Sequence, residues 1–546
     1  PNAYVHHKFA PSDIRGDNRV TRHYYPIIKN KIYFTLKHAQ QFLGYDEIEQ
    51  DNNDFSDQLE RSLNLNIVAG RLNVSEREKF KKDRQRATED GLERGKKYIY
   101  EMINEEKLQR YGGNFLKFSP IPALQDSNTP ANSTHRVIVL ISMDFPPEHV
   151  GGIAVFSKDL AESLAKQGNI VHVITKDPVL NRVDFENGVW VHRLLVDKVA
   201  KTAAAKSNNI PQHIWDWSAT ALKEVKRIAT HRTIDVVEAP IWDCEGIAFL
   251  LDKQWPLVTS LHTTLHFWLD AYPQRTGDTK HMQKFVQPML LLEKQLMTQA
   301  DAVRANSVAI KQDIAVAYEF EFNPQTTLVI PHGLANPSIA LTEKKSQQQK
   351  PLTILFVGRL EYRKGIDVLL AVIPLILQNQ QPPKVIFRII GDDSLKKTDE
   401  TITYKNRYLK TEAAKENAAY VHFEGRVDEA ILQQAYADCD IFVAPSRYES
   451  FGLVLLEAMR YTKPLIACSA GGMPEIITPE QDGLLIKAGD QEQLLQALNR
   501  LIESAELRNT LGNHARQSFD QKFTAQRMAQ ASAELYQIAE NTYSKP

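Results

Sequence analysis

Short apolar runs alternate with helical stretches along most of this 546-residue chain, and this alternation limits its fold more than any other feature. The run RVIVLIS at 136–142 is typical of a strand that is covered on both faces, as in a parallel sheet. A glycine-rich turn, an amphipathic stretch and a glycine stop separate it from the next run, which together predict one βαβ unit. Because the pattern continues, we predict a mostly parallel sheet with helices on both faces.

The apolar runs form two series with a polar stretch between them. The first series lies at 136–142, 170–175, 189–196, 234–239, 256–262 and 301–307, and the second at 353–360, 384–393, 420–426, 441–446, 464–469 and 483–490. Two doubly wound units in tandem place a ligand crevice between the carboxyl ends of their strands. We therefore predict an α/β fold with two Rossmann-like domains, at 135–335 and 336–520, joined by a hinge in the polar second half of 327–350.

The two ends of the chain differ from its middle in composition and sequence pattern. Residues 75–110 interleave both charge signs at helical spacing, which predicts long, exposed helices, and 119–134 is rich in Pro, Ser, Asn and Thr, as in linkers. We expect residues 1–134 to form a mainly helical extension that ends in this linker. The segment 523–540, within a closing unit at 521–546, predicts a single amphipathic helix.

Composition excludes several classes of protein. The 66 Lys and Arg residues nearly cancel the 67 Asp and Glu residues, which argues against a nucleic-acid partner. Three cysteines far apart in sequence indicate neither a zinc site nor a disulfide framework and fit a cytoplasmic location. No run of eighteen apolar residues predicts a membrane span. The start at Pro1, without an initiator Met, suggests that the sequence is cut from a longer chain.

The stretch PSRYESFGLVLLEAMR at 445–460 carries the most chemical information. An apolar strand runs into a polar turn, and Ser450 or Gly452 opens an apolar helix. The turn thus offers unpaired backbone N–H groups and the positive end of a helix dipole. Glu449 and Glu457 flank it with seven residues between them. Each glutamate alone could be a dipole-complementing residue or a plain helix former, but the pair in this context favours a functional site.

This segment resembles the E-x7-E signature of the GT4 family, retaining nucleotide-sugar glycosyltransferases with the GT-B fold. Further matches follow in the family's order across 136–540: GGIAVF (151–156), the His of TSLHTT (259–264), VIPHG (329–333), FVGRLEYRKGIDVLL (356–370) and AGGMPEII (470–477). The resemblance implies an enzyme that transfers a sugar from a nucleotide-diphosphate donor to a hydroxyl acceptor. It also implies that the closing helix crosses back onto the N-terminal half.

The family's pattern assigns roles to individual residues, and each role has a simpler alternative. Cations would stabilise the diphosphate leaving group, and glycines would let the backbone approach it. The alternatives are surface charge for the cations, a structural turn for the glycines and a strand-end cap for the histidine. The implied residues are Arg359, Lys364 (rather than Arg363) and Gly152, beside Gly151, on the diphosphate, His262 (rather than His266) and Glu449 as catalytic residues on the transferred sugar, Glu457 on the ribose, the backbone of Phe451 and Gly452 as further donor contacts, and Arg426 and Val427 at the base.

The resemblance also implies how the reaction runs. We expect no cofactor and no catalytic metal, since the Asp392–Asp393 pair lies at a turn that the family places near the base, and Arg359 and Lys364 would supply the positive charge. The family's usual mechanism is a front-face return of the acceptor through an oxocarbenium-like pair. We expect a UDP- or GDP-sugar as donor, a glycan, lipid-linked or small-molecule acceptor, and peripheral membrane contact as an option.

The sequence departs from the family in two places. About 134 residues precede the first Rossmann strand, and 6–39 is distantly similar to the closing segment of GT2-type glycosyltransferases, so the chain could be one module of a larger enzyme. His332 stands where the family often has Asn. Two other functions stay open: a nucleotide-sugar 2-epimerase, a class without the GRLEYRKG and E-x7-E combination, and a nucleotide-sugar-binding protein that has lost activity.

Overall fold

The structure, a computed structural model, describes residue 21 and residues 23–39, 43–96, 135–147, 151–271, 278–337, 351–378, 385–394 and 402–544. The chain divides into two compact units, Pro1–Pro120 and Ile121–Pro546. Parts of the predicted extension, including most of 6–22 and all of 97–134, lie outside the described residues.

The described part of the first unit is helical, as predicted. Its described helices are α1 (Tyr25–His38), α2 (Tyr45–Val68) and α3 (Glu76–Lys96). Helix α3 is not exposed all round, because Phe80 and Ala87 are buried in a core with Ile32 and Leu36 of α1. A Cβ on Gly95 would lie 2.6 Å from Leu36 Cδ1, so the glycine lets the two helices approach closely. The mixed charges of 75–96 therefore occupy the remaining sides of α3.

The second unit contains two sheets, and the first has eight strands in the order β3-β4-β2-β1-β5-β6-β7-β8. These strands are β1 (Val137–Ile141), β2 (Ile170–Lys176), β3 (Arg182–Glu186), β4 (Val189–Leu194), β5 (Val236–Pro240), β6 (Leu257–Ser260), β7 (Ala302–Ala305) and β8 (Thr327–Val329). All six predicted strands of the first series are present. The sequence missed β3, which pairs antiparallel with β4 at the sheet edge, and β8, which has only three residues.

The helices of this half follow the alternation of strands and helices. They are α4 (Gly152–Lys166), α5 (Ala203–Ser207), α6 (Gln212–Ala229), α7 (Ile247–Asp252), α8 (Leu265–Ala271), α9 (Thr279–His281), α10 (Gln287–Gln299) and α11 (Val308–Ala317), with a 3₁₀ turn at Trp242–Cys244 and a π turn at Met282–Val286.

The second sheet has six parallel strands in the order β11-β10-β9-β12-β13-β14. They are β9 (Leu352–Val357), β10 (Val385–Ile390), β11 (Val421–Gly425), β12 (Ile441–Ala444), β13 (Leu465–Cys468) and β14 (Leu484–Ile486). The helices of this half are α12 (Ile366–Gln378), α13 (Tyr404–Leu409), α14 (Glu412–Glu416), α15 (Glu429–Asp438), α16 (Leu453–Met459), α17 (Met473–Ile476), α18 (Gln491–Glu503) and α19 (Ala505–Lys522), with a 3₁₀ turn at Tyr362–Lys364. All six predicted strands of the second series are present.

The last helix, α20 (Ala525–Thr542), packs on the first sheet although it follows the second in sequence. Its Tyr536 and Ser532 reach a fully buried ion pair between Glu238 of β5 and Arg304 of β7, in which Arg304 Nε lies 2.7 Å from Glu238 Oε1. Tyr536 donates to Glu238 Oε2 at 2.5 Å, and Arg304 Nη2 donates to Ser532 Oγ at 2.7 Å. These contacts compensate for removing both charges from water.

The chain crosses between the two halves twice, and the crossings run side by side. Leu334 donates to Phe523 O and accepts from Ala525 N, each at 2.9 Å. A Cβ on Gly333 would lie 2.3 Å from Thr524 O, so only glycine allows this approach. The two crossings are therefore held against each other by backbone hydrogen bonds. None of the helices in the described part of the chain combines the length and apolar character needed to cross a bilayer.

Candidate active site

The predicted strand-turn-helix around Glu449 is present in the second sheet. Strand β12 ends at Ala444, and α16 begins after Gly452, whose φ of 110° favours glycine. The turn is held from below, because Gly472 N donates to Glu449 O at 2.9 Å and a Cβ on Gly471 would lie 2.1 Å from that oxygen. The glycine pair of AGGMPEII thus fixes the backbone of Glu449.

The Glu449 side chain is contacted by two cations and one hydroxyl group. Lys364 Nζ lies 2.5 Å from Oε1, Ser446 Oγ donates to Oε1 at 2.8 Å, and Arg363 Nη1 lies 3.3 Å from Oε2. Burial opposes ionisation, but the two cations and the hydrogen bonds hold the pKa of Glu449 at about 2. Burial in turn lowers the pKa of Lys364, and the Glu449 carboxylate opposes that shift. Glu449 is therefore a carboxylate throughout the physiological pH range.

The turn that carries these cations joins β9 to α12. Gly365, with φ 66°, lies so close to Pro445 that a Cβ would be 1.9 Å from its carbonyl oxygen. Arg359 is half-exposed and lies 3.2 Å from Glu361 Oε1, which Arg363 also contacts at 2.9 Å. Lys364 and Arg363 both contact Glu449. That Lys364 rather than Arg363 binds the diphosphate stays a prediction.

Glu457, in α16, has a different environment from Glu449. Tyr436 OH donates to its Oε2 at 2.5 Å. Burial raises the pKa of Glu457, while Arg460 and Tyr436 oppose the rise. The carboxylate is thus held in one orientation by a neutral donor, with its remaining oxygen able to accept further hydrogen bonds.

The residues predicted at the base lie after β11. Arg426 is exposed and its Nη2 lies 3.5 Å from Asp392 Oδ2, while Val427 is partly buried. Asp392 accepts from Ser394 N at 2.9 Å, and Asp393 accepts from Thr403 Oγ1 at 2.5 Å and Lys405 N at 3.2 Å. Asp392 is therefore engaged in its own turn, whereas Asp393 is engaged by the start of α13.

In the first half, His262 follows β6 by two residues and is 6% exposed. Its ring packs edge-on against Phe156 of α4, at 5.3 Å, and stacks with His332 at 5.5 Å. Burial lowers the pKa of His262 to about 4, so the imidazole is neutral at pH 7. His266 instead packs on Phe267 and Tyr318, within α8 and beside it.

Gly151 and Gly152 begin α4, the helix that carries Phe156. A Cβ on either glycine would meet no atom of the described residues within 4 Å, and neither glycine has a positive φ. Neither internal packing nor backbone conformation therefore requires glycine here. The first turn of a helix leaves N–H groups that an anion can bind.

Several contacts join the two halves around the Glu449 turn, and in one of them Tyr448 OH donates to Asp313 Oδ2 at 2.9 Å. Ser307 Oγ donates to Ser450 O at 2.7 Å, and Phe451 packs edge-on against His332 at 5.0 Å. The Glu475 carboxylate of the second half accepts from Val308 N and Ala309 N, at 2.8 Å each, at the start of α11. The sequence predicted none of these pairings; the position of His332 within VIPHG was the one available signal.

Glu293 of α10 holds the turn that carries His262. It accepts from Leu265 N at 2.9 Å and from Tyr318 OH, and burial raises its pKa to about 8. At pH 7 the folded protein therefore keeps a proton on Glu293 that the unfolded chain has released. A group whose pKa rises on folding stabilises the protein fully below its unfolded pKa, and this stabilisation is lost as the pH rises through its folded pKa.

As the pH rises from 6 to 8.5, we expect the Glu293→Gln variant to lose less stability than the wild type. In the wild type, ionisation of Glu293 lowers the free energy of unfolding by up to about 1.4 kcal/mol per pH unit. The amide of the variant cannot ionise, so this decrease is absent. Melting temperatures measured across this range test it, with the exposed Glu503→Gln as control. Parallel pH profiles of wild type and variant would contradict the assignment.

Comparison with known proteins agrees with this architecture. The family model described as Glycosyltransferase Family 4 matches residues 150–335, and the model described as Glycosyl transferases group 1 matches 339–518. An uncharacterized glycosyltransferase of Methanocaldococcus jannaschii is 26% identical over 418 residues, covering 74% of this chain and 98% of that protein. The D-inositol 3-phosphate glycosyltransferase of Corynebacterium diphtheriae is 26% identical, covering 66% of this chain and 84% of that protein.

Solved structures share the fold of the second unit. Sucrose-phosphate synthase from Thermosynechococcus elongatus has a TM-score of 0.56 at 23% identity, covering 74% of this chain and 98% of that chain. Anabaena HepE in complex with UDP-glucose has a TM-score of 0.51 at 21% identity, covering 73% of this chain and 99% of that chain.

Proposed function

Because the chain belongs to the GT4 family of glycosyltransferases and has the GT-B fold, we propose that it moves a sugar from a nucleoside diphosphate donor to a hydroxyl acceptor, with retention and without a metal. The observation that carries this proposal is the Lys364–Glu449 pair, 2.5 Å apart, before the start of α16. It places a fixed cation and a permanently ionised carboxylate beside free helical N–H groups.

The donor lies in this proposal along the carboxyl ends of the second sheet. Lys364, Arg359 and the start of α4 face the diphosphate and stabilise the charge that grows as it leaves. Glu457 accepts hydrogen bonds from the ribose, and the base lies near Arg426 and Val427. We propose a UDP- or GDP-sugar, and the complex of Anabaena HepE with UDP-glucose supports this choice.

The two glutamates suit contacts with hydroxyls better than nucleophilic attack. A double displacement would need a free carboxylate beneath the anomeric carbon. Glu449 is instead engaged by Lys364, Arg363 and Ser446. We therefore assign a front-face route: the bond from the anomeric carbon to the phosphate oxygen breaks, the acceptor oxygen bonds to the same face, and the departing phosphate takes the acceptor's proton.

The acceptor lies in this proposal in the crevice between β1 and β5, where the strand order reverses. Lys176, at the end of β2, has no carboxylate within 4.0 Å of its ammonium among the described residues, and it lies 5.1 Å from the Trp217 ring. Asp243 and Cys244, after β5, both have φ near 50°, a strained conformation that is concentrated at functional sites. The mixed charges of Lys176 and Asp243 suit a polyhydroxyl acceptor, which donates and accepts hydrogen bonds.

We propose that the reaction takes place in the cytoplasm, with peripheral membrane contact if the acceptor is lipid-linked. The three free, buried thiols of Cys244, Cys439 and Cys468 support a reducing compartment.

A panel of UDP-, GDP- and ADP-sugars against glycan, polyol and lipid-linked acceptors tests the proposed function. We expect release of the nucleoside diphosphate only with acceptor present, full activity in EDTA, and an anomeric proton in the product whose NMR coupling shows the donor's configuration. Binding without turnover would instead identify a nucleotide-sugar-binding protein, and an inverted product would exclude the front-face route.

Gly152→Ala tests the placement of the diphosphate at the start of α4. The substitution fills open space, so we expect an unchanged or slightly higher melting temperature. The added methyl group would stand between the helix start and the phosphate, raising the KM for the donor roughly tenfold or more. Gly44→Ala, before α2 in the first unit, is the matched control. An unchanged KM would remove α4 from the donor site.

A further inference from the structure

His332 lies at the first crossing between the halves, in the middle of a cluster of rings. Its ring centroid is 4.6 Å from that of Phe156, 5.5 Å from that of His262 and 5.0 Å from that of Phe451. The first two belong to the first half and Phe451 belongs to the Glu449 turn. His332 is therefore placed where the two halves meet around the proposed sugar site, and it is only 5% exposed.

Asn306 fixes the tautomer of His332. The Asn306 amide nitrogen donates to Leu261 O at 3.1 Å, which assigns Nδ2 to this side of the amide. The same nitrogen lies 3.3 Å from His332 Nε2, so Nε2 accepts and cannot carry the proton. Burial, His262 and Arg304 lower the pKa of His332 well below its usual value, so the ring is neutral. Its one proton is therefore on Nδ1.

That Nδ1–H donor has no partner in the described residues, although it is buried. His262 Nε2 and Asn306 Oδ1 are also buried without a hydrogen-bond partner among the described residues. Both atoms belong to residues that contact His332. A buried polar atom without a hydrogen-bond partner destabilises a fold, so three such atoms around one ring cluster indicate a polar ligand.

The chemistry of these three groups indicates which part of the donor they would meet. Both imidazoles and the amide are uncharged, and Lys364, Arg363 and Arg359 are grouped on the other half. Neutral donors and acceptors at fixed positions match hydroxyl groups, which both donate and accept, better than a phosphate.

We propose that His332 donates a hydrogen bond from Nδ1 to a hydroxyl of the transferred sugar and so helps to determine which sugar the enzyme accepts. The proposal rests on the proposed function, and it extends the donor site to a residue at which this chain departs from the family's Asn. An asparagine side chain places its amide near the position of imidazole Nδ1. His332→Asn therefore preserves the contact, whereas His332→Gln reaches only the Nε2 position and His332→Phe keeps the ring packing alone.

The experiment measures binding and turnover of UDP-glucose, UDP-galactose, GDP-mannose and ADP-glucose, with UDP, GDP and ADP as sugar-free probes. For the sugar nucleotide that the wild type uses, we expect His332→Phe and His332→Gln to weaken binding about tenfold and His332→Asn to change it less than about threefold. Affinity for the free nucleoside diphosphate should not change in any variant. The exposed His231→Asn serves as control.

A second arm uses deoxy analogues of the accepted sugar. Removing the hydroxyl that His332 binds should cost the wild type about tenfold and His332→Phe almost nothing, as in a double-mutant cycle. Equal losses for every analogue in both proteins, or His332→Phe with wild-type affinity, would overturn the proposal and leave the proposed function standing. A wild type that binds none of the probes would overturn both.

Discussion

Lys364→Ala should lower kcat/KM by about 10²–10³-fold, the range found when one fixed donor to a developing negative charge is removed. The variant loses the cation that lies 2.5 Å from Glu449 and faces the proposed diphosphate. Glu449 keeps Arg363 and Ser446, so we expect the fold to survive. Steady-state kinetics with the donor from the panel, together with circular dichroism, measure both effects.

The effect on pH dependence separates this role from general surface charge. Without Lys364, the pKa of Glu449 should rise from about 2, because one of its two cations is gone. The activity that remains should therefore fall on the acid side at a higher pH than in the wild type. Lys415→Ala removes an exposed lysine that pairs with Glu412 and should change neither quantity. A Lys364→Ala enzyme with near-normal rates would refute the site assignment.

Gly365→Ala should be among the most damaging small substitutions in the second half. The added Cβ would lie 1.9 Å from Pro445 O, and the residue also has φ 66°. Since a carbonyl oxygen just after β12 cannot swing away as a side chain can, the turn carrying Lys364 must move. We expect a loss of roughly 3 kcal/mol in stability and a loss of transfer close to that of Lys364→Ala. Thermal unfolding and the transfer assay test this.

Gly70→Ala serves as the control that measures the cost of the left-handed backbone conformation without a steric clash. Gly70 has φ 69° but open space around its Cβ position, so its substitution should cost only about 1 kcal/mol, the contribution of the left-handed backbone alone. Equal destabilisation in the two variants would show that contact with Pro445 contributes nothing.

The sequence predicted the two sheets because their strands are continuous apolar runs, which neighbours cover on both faces. It missed β3 because this edge strand, RVDFE, carries three charged residues and only two apolar ones. It missed β8 because three residues are too short for any period to be seen. The charges on α3 suggested an exposed helix, since its buried face is made partly of glycine and alanine rather than large apolar residues.

The sequence likewise identified some residues of the candidate site but not the contacts between them. Glu449, Lys364 and His262 follow strands in motifs with fixed spacing, so resemblance could name them. The pairing of Arg363 with Glu449 depends on which strands are neighbours in the second sheet. The pairings of Glu475 with the start of α11 and of His332 with Phe451 depend on which loops of two separate sheets face each other. Sequence periodicity describes one element at a time and carries no information on such contacts.

The position of α20 has a consequence for how the protein is made. During synthesis the first sheet emerges well before residues 532–536, which supply two of the hydrogen bonds to its buried Glu238–Arg304 pair. Until then the carboxylate and guanidinium face a gap where a helix belongs. The first half therefore cannot reach its final packing as an autonomous early domain, although domains commonly fold in order from the N-terminus. Its completion waits for α20 to leave the ribosome.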